Sequence, residues 1–201
     1  MAPNPNAADA FPLLSEVFYD AVGSDDGRSF VELYGAPGSA LDGLTLEGIN
    51  GTGGVVTHSL PLSGVFDPDG LFVLADVDGS GITLVADADL LANFDFQNGP
   101  DSVVLRDENG VLDAVGYGVF APGDVFAGEG AAAEDGAAGT SLARWFANVD
   151  TGDNALDFGV LAAPTPGAAP LQVPEPATGS LFACALAMIG IMAWGRRRGS
   201  R

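Results

Sequence analysis

The sequence predicts an antiparallel β-sandwich followed by a single membrane-spanning helix. Three observations carry that expectation. Short apolar runs alternate with turn residues through the body, twenty-nine glycines are spread over 201 residues, and one long uncharged segment is confined to the C-terminus. Many strands at short spacing, without strand–helix–strand alternation, favour two packed antiparallel sheets. No fixed-period repeat is present.

Taken in order, residues 1–10 read as a flexible N-terminus. "MAPNPNAADAFPLLSEV" has neither a basic n-region nor an apolar h-region, so it is no export signal. Two explanations stand open. The favoured one is a start lying upstream, with Ala8-Asp9-Ala10 left from an A-x-A cleavage site; the other is a tail-anchored protein with its body in the cytoplasm. Residues 11–163 form the expected sandwich. "FPLLSEVFY", "SFVELYG", "GLTLEGI", "GLFVLAD", "SVVLRD" and "VLDAVGYG" read as strands bounded by Gly, Asp, Pro and Asn clusters. Asn109-Gly110 in "RDENGVLD" signals a hairpin, since both residues tolerate positive φ. Gly128 to Gly139, "GEGAAAEDGAAG", is small and low in complexity and reads as a mobile loop. Residues 164–173, opening with "PTPGAAPLQ", read as a stiff, extended spacer.

Charge is distributed unevenly. All seven cations are arginines, and four of them, Arg196, Arg197, Arg198 and Arg201, lie in the tail. Upstream of Pro174, Arg28, Arg106 and Arg144 face 26 acidic residues, a balance of −23 within a chain of net charge −20. So negative a surface repels polyphosphates, and nucleic acid is excluded as a partner. It suits divalent cations or a salty medium. Cys184 is the one cysteine, so no intrachain disulfide forms.

Residues 174–201 close the chain. Ala177 to Trp194 carries no charge; as a helix it spans roughly 27 Å, just short of a ~30 Å hydrocarbon core. Trp194 falls at the interface, and Arg196–Arg198 follow as a basic anchor that stays in the cytoplasm. Pro174-Glu175-Pro176, an apolar helix over residues 177–194 and a basic cluster, in that order, resemble the PEP-CTERM sorting signal of Gram-negative bacteria. The resemblance implies an exosortase, a membrane-embedded cysteine transpeptidase, as partner. It would recognise Pro174, Glu175 and Pro176 and cut nearby, sending an exported product to the cell surface or extracellular matrix after a transient stay in the inner membrane.

The body carries a second resemblance. "LLSEVFYD", "RSFVELYG", "LDGLTLEG", "DSVVLRDENGVLDAVGYG", "TSLARW", "DTGDNALDF" and "PTPG" follow one another, from Leu13 to Gly167, as in bacterial lamin-tail domains. The resemblance implies an immunoglobulin-like β-sandwich and a non-enzymatic role. Two positions depart from the family's habit. Gly35 stands where Asn or Asp is frequent, and Leu44 where Trp is frequent.

Candidate chemistry is sparse. His58, the one histidine, lies in the probable strand "VVTHSLPL", and no G-x-S-x-G elbow accompanies it. Cys184 sits in the apolar tail without a basic neighbour to activate it. One His and one Cys in different compartments make no zinc site. "DVDGSGITLVAD" sets Asp76, Asp78, Ser80 and Asp87 at positions 1, 3, 5 and 12 of an EF-hand-like loop, with Gly81 at position 6. Such oxygen spacing suits calcium, the one cofactor considered. The competing reading is a solvated Asp/Gly turn. Asp150, Asp153, Asn154 and Asp157 form a weaker second set, read as turn-fixing residues. The expected function is therefore a non-catalytic structural or adhesion module. A carbohydrate- or protein-binding module, with extracellular polysaccharide as a partner, is the alternative, and a secreted hydrolase is a distant third.

Overall fold

A computed structural model describes residues 12–168, which fold as two β-sheets. In chain order the strands are β1 (Leu13–Phe18), β2 (Phe30–Tyr34), β3 (Thr45–Asn50), β4 (Val56–Pro61), β5 (Leu71–Asp76), β6 (Leu90–Ala92), β7 (Asp101–Arg106), β8 (Val111–Tyr117), β9 (Ser141–Arg144) and β10 (Phe158–Leu161); the one-turn helix α1 (Asn154–Asp157) precedes β10. One sheet runs β10-β9-β1-β2-β5-β6 and the other β4-β3-β7-β8. All six runs read as strands, and the strand around His58, are present. The pairing departs from a purely antiparallel sandwich at one edge, where β5 and β6 run parallel over three residue pairs.

The core lies between the sheets. Leu14, Val17, Val31, Leu33, Phe72 and Leu74 from the larger sheet meet Leu46, Val103, Leu105, Val115 and Tyr117 from the smaller. Leu14 and Val17, three apart, both reach this core because a bulge at Ser15 breaks the alternation. Tyr19 and Tyr117 stack with centroids 4.3 Å apart. Their hydroxyls donate to Asp135 Oδ1 at 2.6 Å and to the Gln97 carbonyl at 2.9 Å, so neither buried phenol lacks a partner.

Three expectations change. The β7–β8 hairpin forms at Asn109-Gly110, but only Gly110 takes positive φ, at 153°. The turn is held by Asp107 Oδ1, which accepts from the Asn109 and Gly110 amides at 2.7 and 3.0 Å. Gly128 to Gly139 is packed against the sandwich. Ala133 is buried and bridges to Tyr117. A Cβ at Gly128 would collide with Asn154 Oδ1 and the Gly116 amide, so small residues there allow a close approach. The segment read as a stiff, extended spacer, finally, begins as a strap. Thr165 and Gly167 hydrogen-bond to glutamates of β1 and β2.

The larger sheet is largely buried on both faces, and the strap covers its outer face at Glu16 and Glu32. Phe30, Val73, Ala75 and Ala143 alternate with core residues and are still 5 % exposed or less. No helix among the described residues is long and apolar enough to cross a membrane. The expected helix over 177–194, the sorting motif Pro174, Glu175 and Pro176, and the anchor Arg196, Arg197 and Arg198 lie outside the described residues.

Candidate functional site

The densest polar site is built around Arg144, the last residue of β9. A strand that ends in Ser-Leu-Ala-Arg alternates its side chains, so Arg144 points inward on the same side as Leu142. Its side chain is fully buried between the sheets. Nη2 donates to both Asp113 oxygens on β8, at 3.0 and 2.8 Å, and Nη1 donates to Asp157 Oδ2 at 3.1 Å and to the Val149 carbonyl at 3.0 Å. Nε donates to the Leu14 carbonyl at 3.0 Å, and the guanidinium lies 4.5 Å from the centroid of the Phe158 ring. Asp150 stands 3.5 Å away. A planar fork of five donors is well suited to this many acceptors. Asp113 also accepts from the Leu14 amide at 2.6 Å, so it ties β8 to β1 directly.

Asn154 completes the arrangement from α1. Its Oδ1 accepts from the Gly116 and Glu129 amides, and its Nδ2 donates to the Ala114 carbonyl at 2.7 Å. Asp153 caps the helix by accepting from the Ala155 amide at 3.1 Å. Asp150 accepts from the Gly152 amide at 2.9 Å. The turn-fixing reading of Asp150, Asp153, Asn154 and Asp157 matches these bonds, with one addition: Asp150 and Asp157 are also ion-pair partners of Arg144.

Among the described residues, one trio of metal-ligating groups brings its oxygens within 4.8 Å of one another: Asp113, Glu129 and Asp150. Burial, with the charges of Asp113 and Asp150 behind it, pushes the Glu129 carboxyl up to about 7. Arg144 already bonds two of the three, so its guanidinium supplies the positive charge that an ion would bring.

The EF-hand-like loop does not assemble. Asp76 is buried at the end of β5, and its oxygens accept from the Gly27 and Phe94 amides at 2.6 and 2.9 Å. Asp78 Oδ1 accepts from the Ser80 and Ile82 amides at 2.8 and 2.9 Å, closing a tight turn, and Ser80 is exposed. Asp87 lines a separate hollow with Asp67, Asp69 and Asp89, whereas Asp76 lines one with Asp25, Asp26 and Asp95. The carboxylates serve backbone amides, as in an Asx turn. Melting at millimolar calcium is expected to match melting with a chelator, and a clear stabilisation would restore the loop as a site.

A second buried acidic pair was not legible. Glu16 and Glu32 are direct cross-strand partners on β1 and β2, and both are fully buried. Glu16 accepts from the Ser141 hydroxyl, and from the Thr165 amide and hydroxyl at 3.0 and 2.8 Å. Glu32 Oε2 accepts from the Gly167 amide at 2.8 Å. No arginine among the described residues is bonded to either. Burial pushes Glu32 up to about 7, and the charges of Glu16 and Asp69 add to the effect. The signal available in the sequence was Phe18 and Phe30, apolar residues on the same side of their strands as Glu16 and Glu32.

His58 is a partly exposed sheet residue. Its Nε2 accepts weakly from the Asp95 amide at 3.4 Å, and its ring stands edge-on to Phe96. Among the described residues no hydroxyl is bonded to it. Comparison with known proteins adds nothing to this geometry: no family model, no characterised protein and no solved structure matches the chain.

Proposed function

We propose that this chain is a non-catalytic exported module, a lamin-tail-like sandwich of immunoglobulin type. An exosortase-type system would deliver it to the cell surface or extracellular matrix, where it acts in structure or adhesion. One observation carries the reading of the body. Three of the sequence stretches that resemble lamin-tail domains, "VLDAVGYG", "TSLARW" and "DTGDNALDF", contribute Asp113, Arg144 and Asp157 to one buried ion-pair network. Motifs far apart in the chain thus have a shared structural purpose. The buried charged groups are spent on bracing: Arg144 bolts the sheets, Glu16 and Glu32 hold the strap, and Asp76 binds backbone amides.

The reading of the destination rests on the tail. Pro174-Glu175-Pro176, the uncharged run to Trp194 and Arg196–Arg198 form an ordered retention and recognition signal. Deleting Pro174 to Arg201 is expected to convert a membrane-held precursor into a freely released form. Unchanged fractionation between membrane and medium would overturn the sorting role.

A further inference from the structure

The outer face of the larger sheet carries a groove of about 590 Å³ that none of the preceding chemistry uses. That volume lies within the usual range of small-molecule sites, ~300–1,000 Å³. Phe18 and Phe30, with ring centroids 5.8 Å apart, line it from β1 and β2. Leu84 borders it from the β5–β6 connection, and Pro164 and Pro166 border it from the strap. Val22 and Leu84 at its edge are 70 % and 68 % exposed. The strap side is held in place, because Thr165 and Gly167 are bonded to Glu16 and Glu32.

One charged side chain joins this apolar lining, and it is Arg28. Arg106 pairs with Glu47 and Arg144 with Asp113, Asp150 and Asp157. Arg28 alone of the arginines among the described residues has no ion pair, in a body where acids outnumber cations many times over. Its acidic neighbours in sequence, Asp25 and Asp26, line a different hollow.

We propose that this groove binds a small monoanion with an apolar, aromatic body. The ring would pack against Phe18, Leu84 and the prolines, and its carboxylate would pair with Arg28. The class follows from the lining. Aromatic and proline surfaces favour a flat apolar group, and one unpaired guanidinium donates a bidentate pair of hydrogen bonds to one carboxylate. Polyanions are disfavoured because the field of the surrounding acidic surface opposes every further negative charge. The inference is independent of the sorting signal and of the adhesion role.

The test uses the full chain in lipid nanodiscs, with 4-phenylbutanoate and its neutral amide as probes followed by NMR. The acid is expected to shift the Arg28 Nε–H and Leu84 methyl signals saturably, and the amide to bind roughly ten-fold more weakly, the loss of one charge-assisted contact. Arg28→Gln is expected to bring the acid down to the affinity of the amide. Leu84→Asp is expected to abolish binding of both. Arg28 and Leu84 are exposed, so both variants should keep the wild-type spectrum elsewhere; Arg28→Gln alone decides the matter if Leu84→Asp does not fold. No saturable shift by about 10 mM acid, equal affinity for acid and amide, or unchanged binding to Arg28→Gln would each overturn the proposal.

Discussion

Two buried acidic regions in this molecule solve the same problem differently. Around Arg144 the carboxylates of Asp113 and Asp157 are met by a guanidinium. Under the strap, Glu16 and Glu32 are met by hydroxyl and amide donors alone. The contrast reflects a shortage. The body has three arginines, and one of them is committed between the sheets. Burying a carboxylate without a cation is tolerable when donors surround it or when it takes up a proton. The ion pairs of Arg144 should therefore hold those carboxylates by charge, whereas the strap region, like Glu129 at the open side of the Arg144 cluster, should respond to pH near neutrality.

Arg144→Met gives the largest expected effect. It leaves Asp113 and Asp157 buried without their counter-charge, and stability should fall by about 3–5 kcal/mol in chemical denaturation. A loss below about 1 kcal/mol would mean that the hydrogen bonds from backbone amides are sufficient by themselves.

Titration sharpens the contrast next. The Glu32 carboxyl is raised from 4.5 to about 7, so the folded protein holds a proton that the unfolded chain has released. Its contribution is fully present below pH 4.5 and is lost as pH rises through 7, up to about 3 kcal/mol in all. Glu129, also raised to about 7, acts in the same direction from a more open position. Glu32→Gln should reduce the slope of stability between pH 5 and pH 8, leaving the part that Glu129 contributes. An unchanged slope in that variant would place the titration elsewhere.

Smaller effects separate the two sites' supporting bonds. Thr165→Val removes the hydroxyl bond to Glu16 and should cost about 1–3 kcal/mol, with faster hydrogen exchange at the Gly167 amide than in wild type. Exchange unchanged there would show that the strap does not depend on Thr165. Asp153→Ala removes the cap of α1 beside the Arg144 network and should cost about 1 kcal/mol.

The sequence exposed the strands with clear apolar runs and turn boundaries, and it hid those whose character depends on distant partners. "LFVLAD" is apolar throughout, as a strand covered on both faces should be, and it became β5. "SLAR" places a charge where a core residue is expected, so β9 did not stand out; only the presence of Asp113 and Asp157 makes an inward Arg144 acceptable. β6 is three residues long and gains its identity from parallel pairing with β5. The candidate sites were less legible for the same reason. Asp76 and Asp78 are spaced like ligands, yet nearby amides claim them. Glu16 and Glu32 look like the polar side of a half-exposed sheet, and the residues that cover them come 149 and 135 positions later, at Thr165 and Gly167.

The glycine- and alanine-rich stretch from Gly128 to Gly139 has a practical consequence for anyone wishing to label or tag this protein. Its composition invites an inserted epitope, but its small residues serve as mortar between α1 and β8, and even one added methyl at Gly128 meets protein atoms. The exposed tip of the β7–β8 hairpin, at Glu108 and Asn109, is the better place for an insertion. Poverty of sequence and freedom of chain are different properties, and in this sandwich they fall at different addresses.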